Sequence, residues 1–366
     1  MATGFCPYLL QAIGEITKDA NPMFKIQPNG FTGMLMTAST PGLIKNDSYN
    51  GHYKTVQVKK RQRFTVRQTD TTESCDNVNI PAYSEDTVSV ANIRQLAFHI
   101  DDETIAKYCD DASSLQTPTG MKPMTGLMKE VLETVMSAAN ALLQGVDQDL
   151  LGLLTFGFNK TTNLNTAKTI NLPLTVTTQP LNNGITELLA DYKKNGLTGR
   201  PQIVGQGFML NYTMQQIAKG LDQYGLDSSI LTSMYDFWND DNYEGVFGSN
   251  QFGMFEPNSL QIVEYLRYQG YKAGAKPGGS TFGILPLPMY VGNSVQPVLF
   301  DFQWKYYDCA TTLTDAYTGQ SVSVQKGWSM ILSKQFGLYQ IPFDAYRGDD
   351  PNYRVTGALR YVATNA

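Results

Sequence analysis

MKPMTGLMKEVLETVMSAANALLQGVDQDLLGLL, residues 121–154, is the stretch on which the fold turns. Apolar side chains recur at Leu127, Met128, Val131, Leu132, Val135, Met136, Ala139, Leu142 and Leu143. That spacing is the i, i+3, i+4, i+7 rhythm of a helix with one apolar face, and Lys129, Glu130, Glu133 and Asn140 fall on the other side. Gly145 reads as the C-terminal stop, and Asp147 as the cap of a second, short helix carrying Leu150, Leu151 and Leu154. At ~1.5 Å per residue the first helix is a rod of roughly 35 Å. Such a rod needs a sheet to lie on, so the flanking sequence decides what it supports.

Upstream lies a basic, β-prone run, TVQVKKRQRFTV. With its neighbours it holds Lys54, Lys59, Lys60, Arg61, Arg63 and Arg67 and no acid. A polar stretch over residues 68–79 separates it from a second β-prone run, TVSVANIRQLAFHI. Three readings stay open. The pair is a solvated ribbon guarded against edge pairing by its cations, an extended arm reaching the acidic surface of a neighbouring subunit, or a nucleic-acid contact. Before it, residues 1–50 are mostly irregular. Leu9, Leu10, Ile13 and Ile16 line one short helix, after which Pro22, Pro28, Gly30, Gly33, Pro41 and Gly42 interrupt the chain. An arm of that kind forms no core of its own and must lie across something else.

Downstream, TINLPLTVTT is β-prone, ITELLADYKK is helical and ends at Asn195 and Gly196, and PQIVG is a short strand. Helices are then expected over FMLNYTMQQIAKG, over SSILTSMYDFW capped by Asp227, and over NSLQIVEYLRYQ opened by Pro257. Residues 270–283 are Gly-rich and read as a loop. GILPLPMYV, VLFDFQWKYY, SVSVQKGWSMIL and VTGALRYVAT read as strands. The fold class is α+β.

The chain has 366 residues, 42% of them hydrophobic, enough for a large core. Its formal net charge of −5 gives no global field toward nucleic acid or an anionic membrane. Charged residues are only 17%, and Thr, Asn, Gln, Tyr and Gly are abundant, a surface suited to extensive contact with other protein. Cys6, Cys75, Cys109 and Cys309 are scattered without pairing signs and read as thiols of a reducing compartment. No export signal is visible, and no apolar run is long enough to span a membrane.

Chemistry has little to work with. Histidine occurs only at His52 and His99, and neither sits beside a nucleophile elbow. No Cys/His set has zinc-ligand spacing, and neither a P-loop nor a dinucleotide fingerprint is present. DFWNDDNYEG gathers Asp236, Asp240, Asp241 and Glu244, but the spacing is not that of an EF-hand loop. It reads as a solvated loop or a partner-facing acidic patch. No enzyme, cofactor or metal is expected.

The order of these pieces resembles the tailed-phage major capsid proteins of the Hong Kong 97 fold. ITELLADYKKNGLTGRPQIVGQGFMLNYTMQQIAKG, residues 185–220, is similar to the helix, central strand and helix of that family's axial domain, and GILPLPM to the strand after its flexible loop. The resemblance implies an N-terminal arm over 1–48, an extended β-loop over 49–100 and a peripheral domain over 101–180 with its spine helix at 121–145. An axial domain over 181–335 and return strands over 336–366 complete it. It further implies self-assembly through pentamers and hexamers into an icosahedral shell around double-stranded DNA. The expected partners are a separate scaffolding protein, a portal and decoration proteins, with non-specific proximity to packaged DNA and no membrane. The expected location is the virion, after assembly in the host cytoplasm. The basic ribbon at Lys54, Lys59, Lys60, Arg61, Arg63 and Arg67 and the acidic patch at Asp236, Asp240, Asp241 and Glu244 are the expected inter-subunit contacts. An encapsulin-like compartment shares that fold, while an all-β adhesin or a carbohydrate-active enzyme would have to dispense with the rod.

Overall fold

The computed structural model describes residues 26, 28, 30–37, 45–50, 53–61, 83–101, 103, 116–117, 120–121, 126–157, 167–172, 184–195, 197–207, 234–267, 274–275, 280–291, 294–307, 309–315, 319–340 and 357–364. Among them the helices are α1 (Gly30–Thr37), α2 (Gly126–Gly152), α3 (Gly184–Lys194) and α4 (Tyr243–Phe247).

The strands begin with β1 (Lys45–Asn50), β2 (Tyr53–Arg61), β3 (Tyr83–Val90) and β4 (Asn92–Asp101). Then come β5 (Gln116–Thr117), β6 (Gly120–Met121), β7 (Lys168–Asn171), β8 (Gln202–Gly205) and β9 (Asp236–Asn239). β10 (Gln251–Phe255), β11 (Leu260–Tyr265), β12 (Gly274–Ala275), β13 (Ser280–Val291) and β14 (Ser294–Tyr307) follow. The last are β15 (Thr311–Thr314), β16 (Ser321–Val324), β17 (Gly327–Gln340) and β18 (Ala358–Thr364). The α+β class is as expected.

The expected rod is present with different ends. Met121 belongs to the two-residue strand β6, the helix starts at Gly126, and it runs unbroken past Gly145 to Gly152. A glycine inside a helix costs about 1 kcal/mol. Continuing the helix buries Val146, Leu150 and Leu151 completely, each worth ~1.5–3 kcal/mol, so packing overrides the stop. Asp147 therefore lies inside the helix and starts no second one. Its 27 residues make a rod of about 40 Å.

The chain divides into two compact units. The first comprises Met1–Pro28, Asn92–Val146 and Glu264–Gln335, and the second Asn29–Ala91, Asp147–Val263 and Phe336–Ala366. The larger sheet has the order β11-β17-β14-β13-β12, with β4 also paired to β17. Register puts Leu285 opposite Phe300, Leu287 opposite Val298 and Phe302 opposite Leu332. Alternation then gathers these buried side chains on one face of the first unit. Pro288 faces Pro297 across the β13–β14 pair, beyond the reach of the two-residue β12, where a missing N–H is tolerated. There the Ile26 N–H donates to the Pro288 carbonyl at 2.9 Å.

In the second unit a five-stranded mixed sheet has the order β7-β18-β10-β8-β9. β7 runs parallel to β18 and β8 parallel to β9, while β10 is antiparallel to both of its neighbours. α3 covers one face, with Leu188 and Tyr192 in a core with Ile203, Tyr235, Phe252, Met254, Leu359 and Tyr361. Phe31 of α1 meets Phe255 at 5.7 Å between ring centroids, and Phe156 meets Phe255 at 6.1 Å. β8 is accordingly buried from Ile203 to Gly205 on both faces.

One expected helix is a strand, and another gives way to a strand at its end: of SSILTSMYDFW, residues 228–233 lie outside the described residues, Met234 is helical, and Asp236, Phe237 and Trp238 are strand. Residues 236–239 form β9 because their backbone pairs with β8 and Arg200 clasps Asp236 at 2.7 Å. NSLQIVEYLRYQ becomes β11. Pro257 leads to Asn258 at φ 61°, a turn conformation that ends a helix before it starts. Leu260, Gln261, Ile262 and Val263 are then all buried, a continuous run that suits a strand covered on two sides. Residues 30–37, expected to be interrupted, instead form α1, buried from Gly30 to Leu35. The glycine that suggested a break is needed for packing, since a Cβ on Gly30 would overlap the Asn239 carbonyl. Part of the Gly-rich loop is also strand, β12 and the start of β13.

Candidate functional site

The basic ribbon is a three-stranded antiparallel sheet in the order β1-β2-β3. Lys54, Lys59, Lys60 and Arg61 lie on β2, while Arg63 and Arg67 fall outside the described residues. Register places Lys59 opposite Glu85, Val58 opposite Asp86, Lys60 opposite Ser84 and Lys54 opposite Val90. The strand without acids is thus paired to one that carries them, a relation hidden in the sequence by a long intervening stretch. On the other side, KNDSYN of β1 supplies no aliphatic side chain. The ribbon is anchored at the far end of β3, where Val88 and Val90 are buried. There a Cβ on Gly337 would overlap the Ser89 carbonyl, so only glycine lets the two backbones approach so closely.

The acidic cluster is not one patch. Asp236 is bound to Arg200 at 2.7 Å. Asp241 is exposed and accepts from the Asn239 amide at 3.2 Å. Glu244 opens α4 and accepts from the Asn250 N–H at 3.4 Å. Asp240 is completely buried, which removes it from any surface offered to a partner. It was drawn inward because α1 needs an anion: GFTGMLMT has no acid in its first turn, and helix N-termini favour negative charge.

Asp240 meets a second buried carboxyl, that of Asp147 on α2. The Phe31 N–H donates to Asp240 Oδ2 at 2.7 Å and the Asn242 N–H to Asp240 Oδ1 at 2.9 Å. Asp147 Oδ1 accepts from the Thr32 N–H at 2.9 Å and the Thr32 hydroxyl at 2.6 Å. Its Oδ2 accepts from the Asn242 side-chain amide at 3.0 Å. Burial, and then the neighbouring Asp147, push Asp240 up to about 7, against the pull of the Phe31 and Asn242 N–H donors. Sequence reading missed Asp147 and Thr32 as members of this cluster. The available signal was an acid on the apolar stripe of a helix, between Val146 and Leu150, where a charge needs a partner.

Elsewhere, the first unit buries Lys334. Its ammonium meets Glu264 Oε1 at 2.8 Å, the Leu299 carbonyl at 3.3 Å and the Phe300 ring at 5.2 Å. On the opposite face of the sheet Asp301 accepts from Arg267, whose guanidinium also reaches Ser333. His99 lies between Ser329 and Gln325, each at 3.0 Å, as an ordinary strand residue. Among the described residues no group of three or more His, Cys, Asp or Glu is placed to hold a metal ion, and no helix is long and apolar enough to cross a membrane.

No protein-family model matches the chain, and no curated protein matches it. Among solved structures, a chain of the cyanophage A-1(L) capsid asymmetric unit is 12% identical over 91% of this chain and 92% of that one, with a TM-score of 0.46. A chain of Mycobacterium phage Bobi is 11% identical over 95% of each, with a TM-score of 0.42. One of Mycobacterium phage Adephagia is 10% identical over 91% of this chain and 93% of that one, with a TM-score of 0.42.

Proposed function

We propose that the chain is the major capsid protein of a tailed phage, built on the Hong Kong 97 plan, and that its work is mechanical. One observation carries the reading. A polar three-stranded ribbon, β1–β3, precedes a 27-residue helix and a separate α+β sheet in the same chain. KNDSYN and YKTVQVKKR offer few apolar side chains to bury, so such a ribbon gains its stability from whatever it lies on. When that surface belongs to the next subunit, folding of the ribbon and assembly are coupled. Head-to-tail contacts of this kind close into rings, and rings of pentamers and hexamers tile a shell.

In this reading α2 stiffens the subunit, the ribbon reaches a neighbour, and Asp241 and Glu244 remain as acids available to orient a basic partner. No step requires catalysis. The net charge of −5 suits a wall that does not grip DNA. A separate scaffolding protein, a portal and decoration proteins belong to the same proposal, as does the virion as location. Electron microscopy and sedimentation of the purified chain test it. Rings or shells are the expected outcome, and a monomer that persists across salt concentrations and under molecular crowding would overturn it.

A further inference from the structure

Five hydrogen bonds from two different segments converge on the Asp147–Asp240 pair, and both carboxyls are completely buried. The partners are far apart in sequence: Phe31 and Asp240 are separated by 209 residues, Thr32 and Asp147 by 115. Removing the pair would leave the first N–H groups of α1 buried without acceptors, at ~1–3 kcal/mol each. The two acids therefore hold α1, the C-terminal turns of α2 and the turn after β9 at one point. Two adjacent carboxylates in a dry site repel each other strongly, and a single bound proton removes that repulsion.

We propose that Asp147 and Asp240 share one proton, and that this proton is a latch: it holds α1 in place at acidic pH and releases it as the pH rises. Asp147 accepts three hydrogen bonds on its two oxygens. Asp240 is the acid, since its titration lies near 7.

α1 itself, GFTGMLMT, has no titratable side chain, and neither does β8 (QIVG) or β10 (QFGMF). From α4 the Tyr243 phenol faces the site, and burial first, with Asp240 adding to it, pushes its ionisation far above physiological pH. Glu244, on the same helix, is engaged with the Asn250 N–H. From β18 Arg360 acts on Tyr243 while bonded to Gln251 at 2.6 Å and to the Phe247 carbonyl at 2.9 Å. Asp241, in the turn, is exposed. Asp149, two residues further along α2, is half-buried.

The direction follows from linkage. An acid whose folded value is raised binds its proton more tightly when folded, so its stabilising effect is complete below the ordinary carboxylate range. That effect is lost as the pH climbs toward 7 and is constant above. With one proton released on opening, the opening equilibrium of α1 grows about fiftyfold between pH 5 and pH 7 and only about twofold between pH 7 and pH 8.

Hydrogen exchange of the peptide covering residues 30–37, measured by mass spectrometry on the full chain and corrected for the chemical exchange rate, reads this directly. Asp240→Asn cannot titrate; its NH2 replaces one of the two oxygens that accept from Phe31 and Asn242, which shifts the level of exchange, but its profile should be flat within about twofold over the same range. Asp147→Asn removes the repulsion and should move the transition to lower pH. A flat wild-type profile between pH 5 and pH 7 overturns the proposal, whether or not the variants fold. So does a wild-type slope that Asp240→Asn retains.

Discussion

The five-stranded sheet of the second unit and the three-stranded ribbon that precedes it are both β, yet they are held by different means. The sheet is sealed from both sides by its own chain: α3 supplies Leu188 and Tyr192 to one face, and α1 and Phe156 close on Phe255 at the other. The ribbon has the backbone pairing of a sheet without the side chains to match. Its first strand reads KNDSYN, and its second, YKTVQVKKR, sets two valines among four cations. One is a finished structure and the other an unfinished one, which is what a chain needs if it must fold first and join copies of itself afterwards.

The largest consequence should come from opening the finished sheet. Phe252 is fully buried and stacks on Tyr361 at 5.4 Å with the rings 16° apart, while the Tyr361 hydroxyl donates to Asp191 at 2.8 Å. Phe252→Ala should cost about 3–5 kcal/mol in chemical denaturation. A loss below about 1 kcal/mol would mean that this sheet, too, draws its stability from elsewhere.

A smaller effect is expected at the cover on the other face. Gly30→Ala places a methyl group against the Asn239 carbonyl, a backbone atom that cannot swing aside. Displacing α1 should cost about 1–3 kcal/mol and should increase exchange in residues 30–37 without touching the ribbon. Unchanged stability would mean that α1 is an appendage to the sheet and no part of its seal.

How far the sequence carries these conclusions differs along the same line. Self-sufficient elements were legible where one periodicity covered many residues. α2 was legible in its apolar stripe, α3 in ITELLADYKK, and β13, β14 and β18 in their β-prone runs, while SVSVQKGWSMIL, expected as one strand, holds β16 and the start of β17, which belong to different sheets. Errors arose where long-range packing outvoted local signals. Gly145 is a stop by propensity, but the burial of Leu150 and Leu151 carries the helix past it. DFWN and LQIVEY have helix-compatible composition, and only their neighbours in the sheets make them strands. The Asp147–Asp240 pair is the extreme case. Two acids at unrelated positions meet because α1 lacks an anion of its own, and no local spacing encodes that meeting.

The ribbon should give the smallest effect on stability and the most informative one. Lys59 and Glu85 are directly opposite across β2 and β3, where exchanging an attractive pair for a repulsive one costs ~0.2–1 kcal/mol. Lys59→Glu alone should therefore barely move the denaturation midpoint. Adding Glu85→Lys restores opposite charges across the strands with their order reversed, so any stability lost within the ribbon should return. If the ribbon's charges serve only its own strands, assembly should return with it. If they face a neighbouring subunit, the double variant should remain as defective in assembly as the single one, because the partner still meets the wrong sign at residue 59. Sedimentation of the wild type, the single and the double variant at low and high salt separates the two cases. The salt series matters because screening weakens an exposed contact between subunits far more than a buried core, and the difference between the two sheets is a difference in where their stabilising contacts lie.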